Sequence, residues 1–181
     1  LGEAYVEVDA YIVKKRLWAG TCAVQFSVMG SRFMAANTGD SRAIIGTAEG
    51  TVVLTRDHKP DDYPEFSRIR ALGGSVMAFG VPRVQGILAV SRALGDSCLK
   101  PYVSPEPRIV QGNLGCENDR AVLACDGVWD VLSPETVIEA ARGHEDAKEA
   151  AENISGMAKD TGSYDNITVI VLDLRSHTVG L

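Results

Sequence analysis

Residues 121–130 read Ala121-Val122-Leu123-Ala124-Cys125-Asp126-Gly127-Val128-Trp129-Asp130, and residues 164–172 read Tyr164-Asp165-Asn166-Ile167-Thr168-Val169-Ile170-Val171-Leu172. Each stretch carries a nearly continuous apolar run, 121–125 in the first and 167–172 in the second, as expected of a strand covered on both faces. If the two strands are antiparallel neighbours, the C-terminal end of the first lies beside the start of the second. Asp126 and Asp165 then meet at one rim of the sheet.

Working outward, the segment between these strands holds two helices. One has Ser133 as its N-cap and Pro134 at the first helical position. The other carries Ala147, Ala150, Ala151, Ile154, Met157 and Ala158 on one stripe, with Lys148, Glu149 and Glu152 elsewhere. Upstream, Cys22, Val24, Phe26 and Val28 alternate along one strand, Gly30-Ser31 offers a turn, and Phe33 to Ala36 returns. The pattern reads as an antiparallel meander that continues through a Gly39-Asp40-Ser41-Arg42 corner into Ala43-Ile44-Ile45 and Thr51 to Leu54. The chain starts with a helix whose apolar positions are Ala4, Val8, Tyr11 and Ile12 and which ends at Gly20; Lys14-Lys15-Arg16 is its solvated end. A further helix is signalled by Asp61-Asp62, Pro64, apolar Phe66, Ile69 and Leu72, and Gly73-Gly74 as the stop. Residues 75–104 read as irregular loop with short ordered pieces. Antiparallel strands with helices packed outside them make an α+β fold, and we expect residues 1–181 to form a single domain.

Composition narrows the function classes. The 181 residues carry a net charge of −6 and are 45% apolar, which argues for a folded domain over a disordered one. No apolar run approaches the roughly 20 residues that cross a bilayer, and the first residues lack the order of a signal peptide. An acidic chain without a basic cluster of any length argues against nucleic acid as the main partner. Cys22, Cys98, Cys116 and Cys125 form no CxxC pair and suggest neither zinc nor a disulfide framework, so a reduced intracellular setting, cytoplasmic or nuclear, is the expectation.

The chemistry is expected at the carboxylates. Asp40 lies at a strand corner, and Asp130 follows Asp126 by one helical turn if that stretch is helical. Taken singly, Asp40 and Asp130 are read as cap or Asx-turn residues, to which Asp is well suited. Asp126 and Asp165 as a pair are different, because carboxylates brought together repel unless a cation or a proton compensates. With oxygen ligands only, Mg²⁺ or Mn²⁺ suits the pair better than zinc or copper. Gly127 would let backbone and metal-bound water approach closely. His58, His144 and His177 are in no catalytic arrangement and are read as structural or solvated, and Trp129 as core packing beneath the Asp126 loop.

Five segments in order resemble a known family: Asn37-Thr38-Gly39-Asp40-Ser41-Arg42-Ala43, Asp57-His58-Lys59-Pro60, Val90-Ser91-Arg92-Ala93-Leu94-Gly95-Asp96, Ala124-Cys125-Asp126-Gly127-Val128-Trp129-Asp130 and Asp165-Asn166-Ile167-Thr168. They are similar to the motifs of the metal-dependent protein phosphatases of the 2C type, and the likeness runs from about Gly20 to about Leu174. Arg68 to Gly74 and Arg83-Val84 also look like the family's connecting helix and loop. The resemblance implies a sandwich of two antiparallel sheets flanked by helices, with a two-metal centre of Mn²⁺ or Mg²⁺ at one end. It implies hydrolysis of phosphoserine and phosphothreonine in phosphoproteins by a metal-activated water. By matching motif, Asp126 and Asp165 look like ligands of one core metal. Asp40 and Asp130, with Asp126, look like the surrounds of a weaker third metal.

The family's phosphate-binding Arg, its Met-Glu-Asp strand and its Asp-Gly-His-Gly-Gly loop have no counterpart in the 181 residues; the one Asp-Gly pair is Asp126-Gly127. The resemblance therefore implies the C-terminal portion of a phosphatase domain, inactive alone, whose partners include its substrate, the missing N-terminal segment or a regulatory protein. A pseudophosphatase acting as a binding module is the alternative. Residues 75–90 and the outer helices are where substrate or regulator contacts are expected.

Overall fold

The computed structural model describes residues Leu1 to Arg175. In chain order the elements are α1 (Gly2–Lys14), β1 (Gly20–Thr21), β2 (Ala23–Met29), β3 (Arg32–Thr38), β4 (Arg42–Thr47), β5 (Gly50–Val53), α2 (Tyr63–Ala71), β6 (Val76–Phe79), β7 (Val81–Val84), β8 (Leu94–Gly95), β9 (Arg108–Asn113), β10 (Arg120–Ala124), α3 (Asp126–Trp129), α4 (Pro134–Arg142), α5 (Ala147–Asp160) and β11 (Val169–Asp173). They fall into two compact units, one of Leu1–Ala23, Asn37–Asp40 and Asp57–Arg108, the other of Val24–Ala36, Ser41–Arg56 and the described residues from Ile109 onward.

The second unit contains the expected sandwich. One sheet has the order β11-β10-β4-β5, the other β2-β3-β9. β10 runs antiparallel to both neighbours, with Ala124 opposite Val169 and Ala121 opposite Ile45. Successive residues point to opposite faces of a strand, and this divides the apolar runs between two cores. Ala121 and Ile45 join Ala35, Leu54, Leu114 and Leu174 between the sheets, with Phe26 stacked on Phe33 beside them. Val122, Ala124 and Ile44 face the other way, onto Val137, Ile138 and Ala141 of α4 and Ala150, Ile154 and Ala158 of α5. Each fully buried Ile or Val on these faces contributes about 1.5–3 kcal/mol of burial free energy. α4 starts where Ser133 Oγ accepts the Thr136 N–H, and α5 where Asp146 accepts those of Lys148 and Glu149.

The α+β reading, the Ser133–Pro134 start of α4 and the stripe of α5 hold; other expectations are corrected. The meander does not pass from β3 into β4, because the two strands lie in different sheets and the chain changes sheet at the 39–41 corner. β10 is buried along its whole length, but β11 is an edge strand with Ile170 exposed, so it is not covered on both faces. Its backbone pairing begins at Val169, two residues later than the apolar run. β9 was not foreseen; four of its six residues are exposed, Ile109 among them.

In the first unit the helices present different faces from those expected. α1 ends at Lys14, where Lys15 caps it and Arg16 takes a positive φ, well before Gly20. It buries Tyr5 and Asp9 while Ala4, Val8 and Tyr11 are exposed. Asp9 is tolerated inside because its carboxylate accepts the Gly95 N–H and pairs with Lys100 at 2.8 Å each. α2 buries Ile69 as expected but Glu65 in place of Phe66 and Leu72. Glu65 accepts from Arg68, Arg92 and the Ser91 hydroxyl, and Arg68 also donates to the Ser91 carbonyl. Burial pushes the Glu65 pKa up, but hydrogen bonds and charge from Arg92, then Arg68 and Ser91, bring it down to about 2. Within the segment expected to be irregular, β6 and β7 form an antiparallel hairpin, and β8 pairs with β1. Ile69, Val84, Val90, Ala93, Leu99 and Val103 form the apolar core of this unit.

Asp96, following β8, takes a left-handed conformation with φ of +49°. Burial raises its pKa, opposed by Lys100 and reinforced by Asp9. A carboxyl whose folded pKa exceeds its unfolded value favours folding when protonated, and that contribution is lost as pH rises through the folded pKa. Asp96→Asn removes the half-buried charge and keeps a residue that accepts the left-handed region. It is expected to raise the melting temperature at pH 7, with a gain that shrinks as the pH falls through the carboxylate range. Melting curves across pH check this, and a pH-independent or destabilising effect contradicts it.

Candidate metal centre

The rim where β10 ends and β11 begins is built by continued approach of the two chains. Beyond Ala124 and Val169, Cys125 N–H donates to the Thr168 carbonyl at 3.3 Å. The Cys125 thiol then takes over, donating to the Asn166 carbonyl at 3.1 Å and accepting the Thr168 N–H at 3.3 Å. Asp126 opens the single turn α3, and Asp130 N–H donates to the Asp126 carbonyl at 2.8 Å, so the one-turn spacing of these two residues is as expected. Trp129 anchors the turn: it is buried, its indole N–H donates to the Ala124 carbonyl at 2.7 Å, and the Arg42 guanidinium lies 5.2 Å from its ring.

Gly127 decides how close the two segments come. A Cβ added there would lie 2.3 Å from the Asn166 carbonyl oxygen and 3.4 Å from the Asp165 Cβ. Only a residue without a side chain allows this contact, and it sets Asp165 beside the Asp126-Gly127 peptide. The Ser163 hydroxyl donates to the Gly127 carbonyl at 2.6 Å, tying the 162–166 loop to α3. Gly127, Asp130, Val131, Gly162, Ser163, Tyr164 and Asp165 line one pocket of about 470 Å³. Asp130 and Asp165 are exposed and Asp126 is half-buried. Asp126 Oδ1 accepts the Gly127 N–H and Asp165 Oδ1 the Asn166 N–H.

Asp126, Asp130 and Asp165 are therefore gathered in one region of the second unit. Asp40 belongs to the first unit and is buried; its carboxylate is engaged by Lys59 and, at 3.4 Å, by the Cys22 thiol. The corner around it is held by Gly39, whose φ is +97° and where a Cβ would meet the Cys22 sulfur at 2.3 Å. His58 is structural: it is buried, its ring Nδ1 lies 3.0 Å from the Gly39 carbonyl, and burial, then Arg92, lowers its pKa to about 4. His144 lies 3.9 Å from Glu149; His177 falls outside the described residues.

The donors at the rim fit a hard divalent cation in kind, being carboxylate oxygens borne on segments that the Gly127 contact holds side by side, with the Cys125 thiol already committed to Asn166 and Thr168. The set is partial: among the described residues, no three His, Cys, Asp or Glu side chains come together as a metal-holding group. Sequence reasoning missed the buried Glu65 network, since nothing local connects Glu65 to Arg92.

Comparison with known proteins gives this geometry a context. The family model described as "Protein phosphatase 2C" matches residues 4–167. "Probable protein phosphatase 2C 59" of Arabidopsis thaliana is 39% identical over 184 residues, covering 99% of this chain and 59% of that protein, so the chain spans little more than half of that relative's length. Among solved structures, a sex-determining protein of C. elegans is similar with a TM-score of 0.87 at 29% identity, over 94% of this chain and 44% of that one. A serine-threonine phosphatase 2C from Toxoplasma gondii follows at 0.84 and 26%, over 94% of this chain and 65% of that one. With the family model covering most of its length, the chain belongs to the protein phosphatase 2C family.

Proposed function

We propose that this chain supplies part of the metal centre of a protein serine/threonine phosphatase that acts on phosphoserine and phosphothreonine in phosphoproteins, with Mn²⁺ or Mg²⁺ as cofactor. The observation that carries the reading is the approach of Asp165 to the Asp126-Gly127 peptide at the β10–β11 rim. Asp126 and Asp165 would hold one metal, and Asp130, one turn on, would serve a weaker one. When bound, such ions supply an activated water and neutralise phosphoryl charge. The chain's own residues provide the frame: Trp129 fixes α3, Gly127 permits the close approach, and Ser163 fixes the loop that bears Asp165.

Because the carboxylates in hand are a partial set, the reading includes completion of the centre by ligands from outside these 181 residues. Among the described residues the outer edge of β11 is the end of its sheet, and a strand added there would bring groups to the rim beside Asp165. A second reading is a pseudophosphatase that binds phosphoproteins without turnover. An assay separates them. The 181-residue chain alone is expected to show no Mn²⁺-dependent hydrolysis of a phosphothreonine peptide. Adding a polypeptide that carries the family's Asp-Gly-His-Gly-Gly strand is expected to produce turnover that Asp126→Asn abolishes. Binding of that polypeptide without turnover supports the pseudophosphatase. Clear turnover by the chain alone that Asp126→Asn abolishes overturns both, since the centre would then need no completion.

A further inference from the structure

The first unit carries a groove of about 530 Å³ that the metal centre does not use, lined by Gly2, Glu3, Val6, Glu7, Glu106 and Pro107. Its floor is apolar, with Val6 45% exposed. Its rim is three carboxylates, and the side chains of Glu3, Glu7 and Glu106 make no ion pair or hydrogen bond among the described residues. Glu3 and Glu7 are one helical turn apart, an arrangement of like charges that costs an isolated helix a few tenths of a kcal/mol.

Both walls are fixed from behind. α1 is held through buried Tyr5 and through Asp9, bonded to Gly95 and Lys100. The opposite wall is held by Arg92, which donates to the Glu106 carbonyl at 2.9 Å while its other nitrogens grip buried Glu65, and by Ser104 Oγ, which accepts the Glu106 N–H. A preformed apolar slot keeps most of its binding energy because little ordering is needed on docking, and an all-acidic rim selects for a cationic occupant.

We infer that this groove docks a short basic segment of a partner protein, an aliphatic side chain seated on Val6 and Pro107 with Lys or Arg on either side facing Glu3, Glu7 and Glu106. No phosphate on the segment is needed, so the interaction is separate from any phosphoryl chemistry and does not rest on the phosphatase reading. The probe is a fluorescein-labelled peptide with one leucine between paired arginines, titrated into the 181-residue chain and followed by anisotropy. Saturable binding is expected, weakened roughly tenfold by Glu7→Lys and by Val6→Asp and weakened by salt, as for rim charges over an apolar anchor. Both positions are solvent-exposed, and far-UV circular dichroism checks that each variant stays folded. Glu152→Lys, a charge reversal at an exposed position of α5, should leave binding unchanged. Equal loss in Glu152→Lys, no loss in Glu7→Lys, or equal binding of a peptide with glutamates in place of the arginines would overturn the proposal. So would concentration-dependent self-association that Val6→Asp abolishes, since the occupant would then be a second copy of the chain.

Discussion

Glu65→Ala is expected to destabilise the first unit by about 3–5 kcal/mol, the range for removing one partner of a buried ion pair. The carboxylate is 3% exposed and answers two guanidiniums and a hydroxyl. Without it, Arg68 and Arg92 keep partly buried charges, and the Ser91 hydroxyl loses its acceptor. The loss should spread to residues 91–106, whose backbone these arginines grip at the Ser91 and Glu106 carbonyls. Glu65→Gln retains the shape and some hydrogen bonds, so about half the loss is expected. The pH dependence has a definite sign. The folded pKa is depressed to about 2 from 4.5, so the contribution is full above the unfolded value and disappears as pH falls toward 2. Amide hydrogen exchange of α2 and residues 91–106, for wild type and both variants at pH 7, measures it. A loss below 1 kcal/mol would mean the network is only decorative.

Gly127→Val is expected to cost about 2–3 kcal/mol in the second unit, typical of forcing side-chain volume into a packed place. It should also remove any response to Mn²⁺. The new Cβ would lie 2.3 Å from a backbone oxygen, that of Asn166, which cannot move aside as the end of a flexible side chain can. The 162–166 loop must withdraw and take Asp165 with it, breaking the Ser163 bond to the Gly127 carbonyl. Trp129, buried beside this turn, reports the event in its fluorescence. Gly156→Ala is the comparison: its Cβ would meet nothing within 4 Å, and Ala in a helix interior is expected to stabilise by up to about 1 kcal/mol. If Gly127→Val melts like wild type and still binds metal, the close approach does not build the site.

These two positions also mark what the sequence disclosed. The rim was legible because it depends on short-range facts: two apolar strands, an Asp at the end of one and near the start of the other, and one assumption of antiparallel pairing, which Ala124 opposite Val169 bears out. α4 and α5 were legible for the same reason, α4 from the local cap of Ser133 and Pro134 and α5 because its stripe faces a purely apolar core. α1 and α2 were misread because their inward positions include Asp9 and Glu65. A charged residue is acceptable inside only when a distant partner meets it, and Lys100 and Arg92 cannot be assigned to these helices from local pattern. The change of sheet between β3 and β4 was hidden likewise: alternation gives the face of each strand but not its neighbours. Asp40 was placed at the corner by the turn residues Gly39-Asp40-Ser41 between two apolar strands, yet its pairing with Lys59 and Cys22 is a tertiary fact.

Mn²⁺ titration of the 181-residue chain by calorimetry tests the central claim, that the β10–β11 rim is a hard-cation site. Weak saturable binding, with a dissociation constant on the order of millimolar for so few protein oxygens, is the predicted result, lost in both Asp126→Asn and Asp165→Asn with unchanged melting curves. No heat of binding at millimolar Mn²⁺, or equal binding by the wild type and both variants, would contradict it.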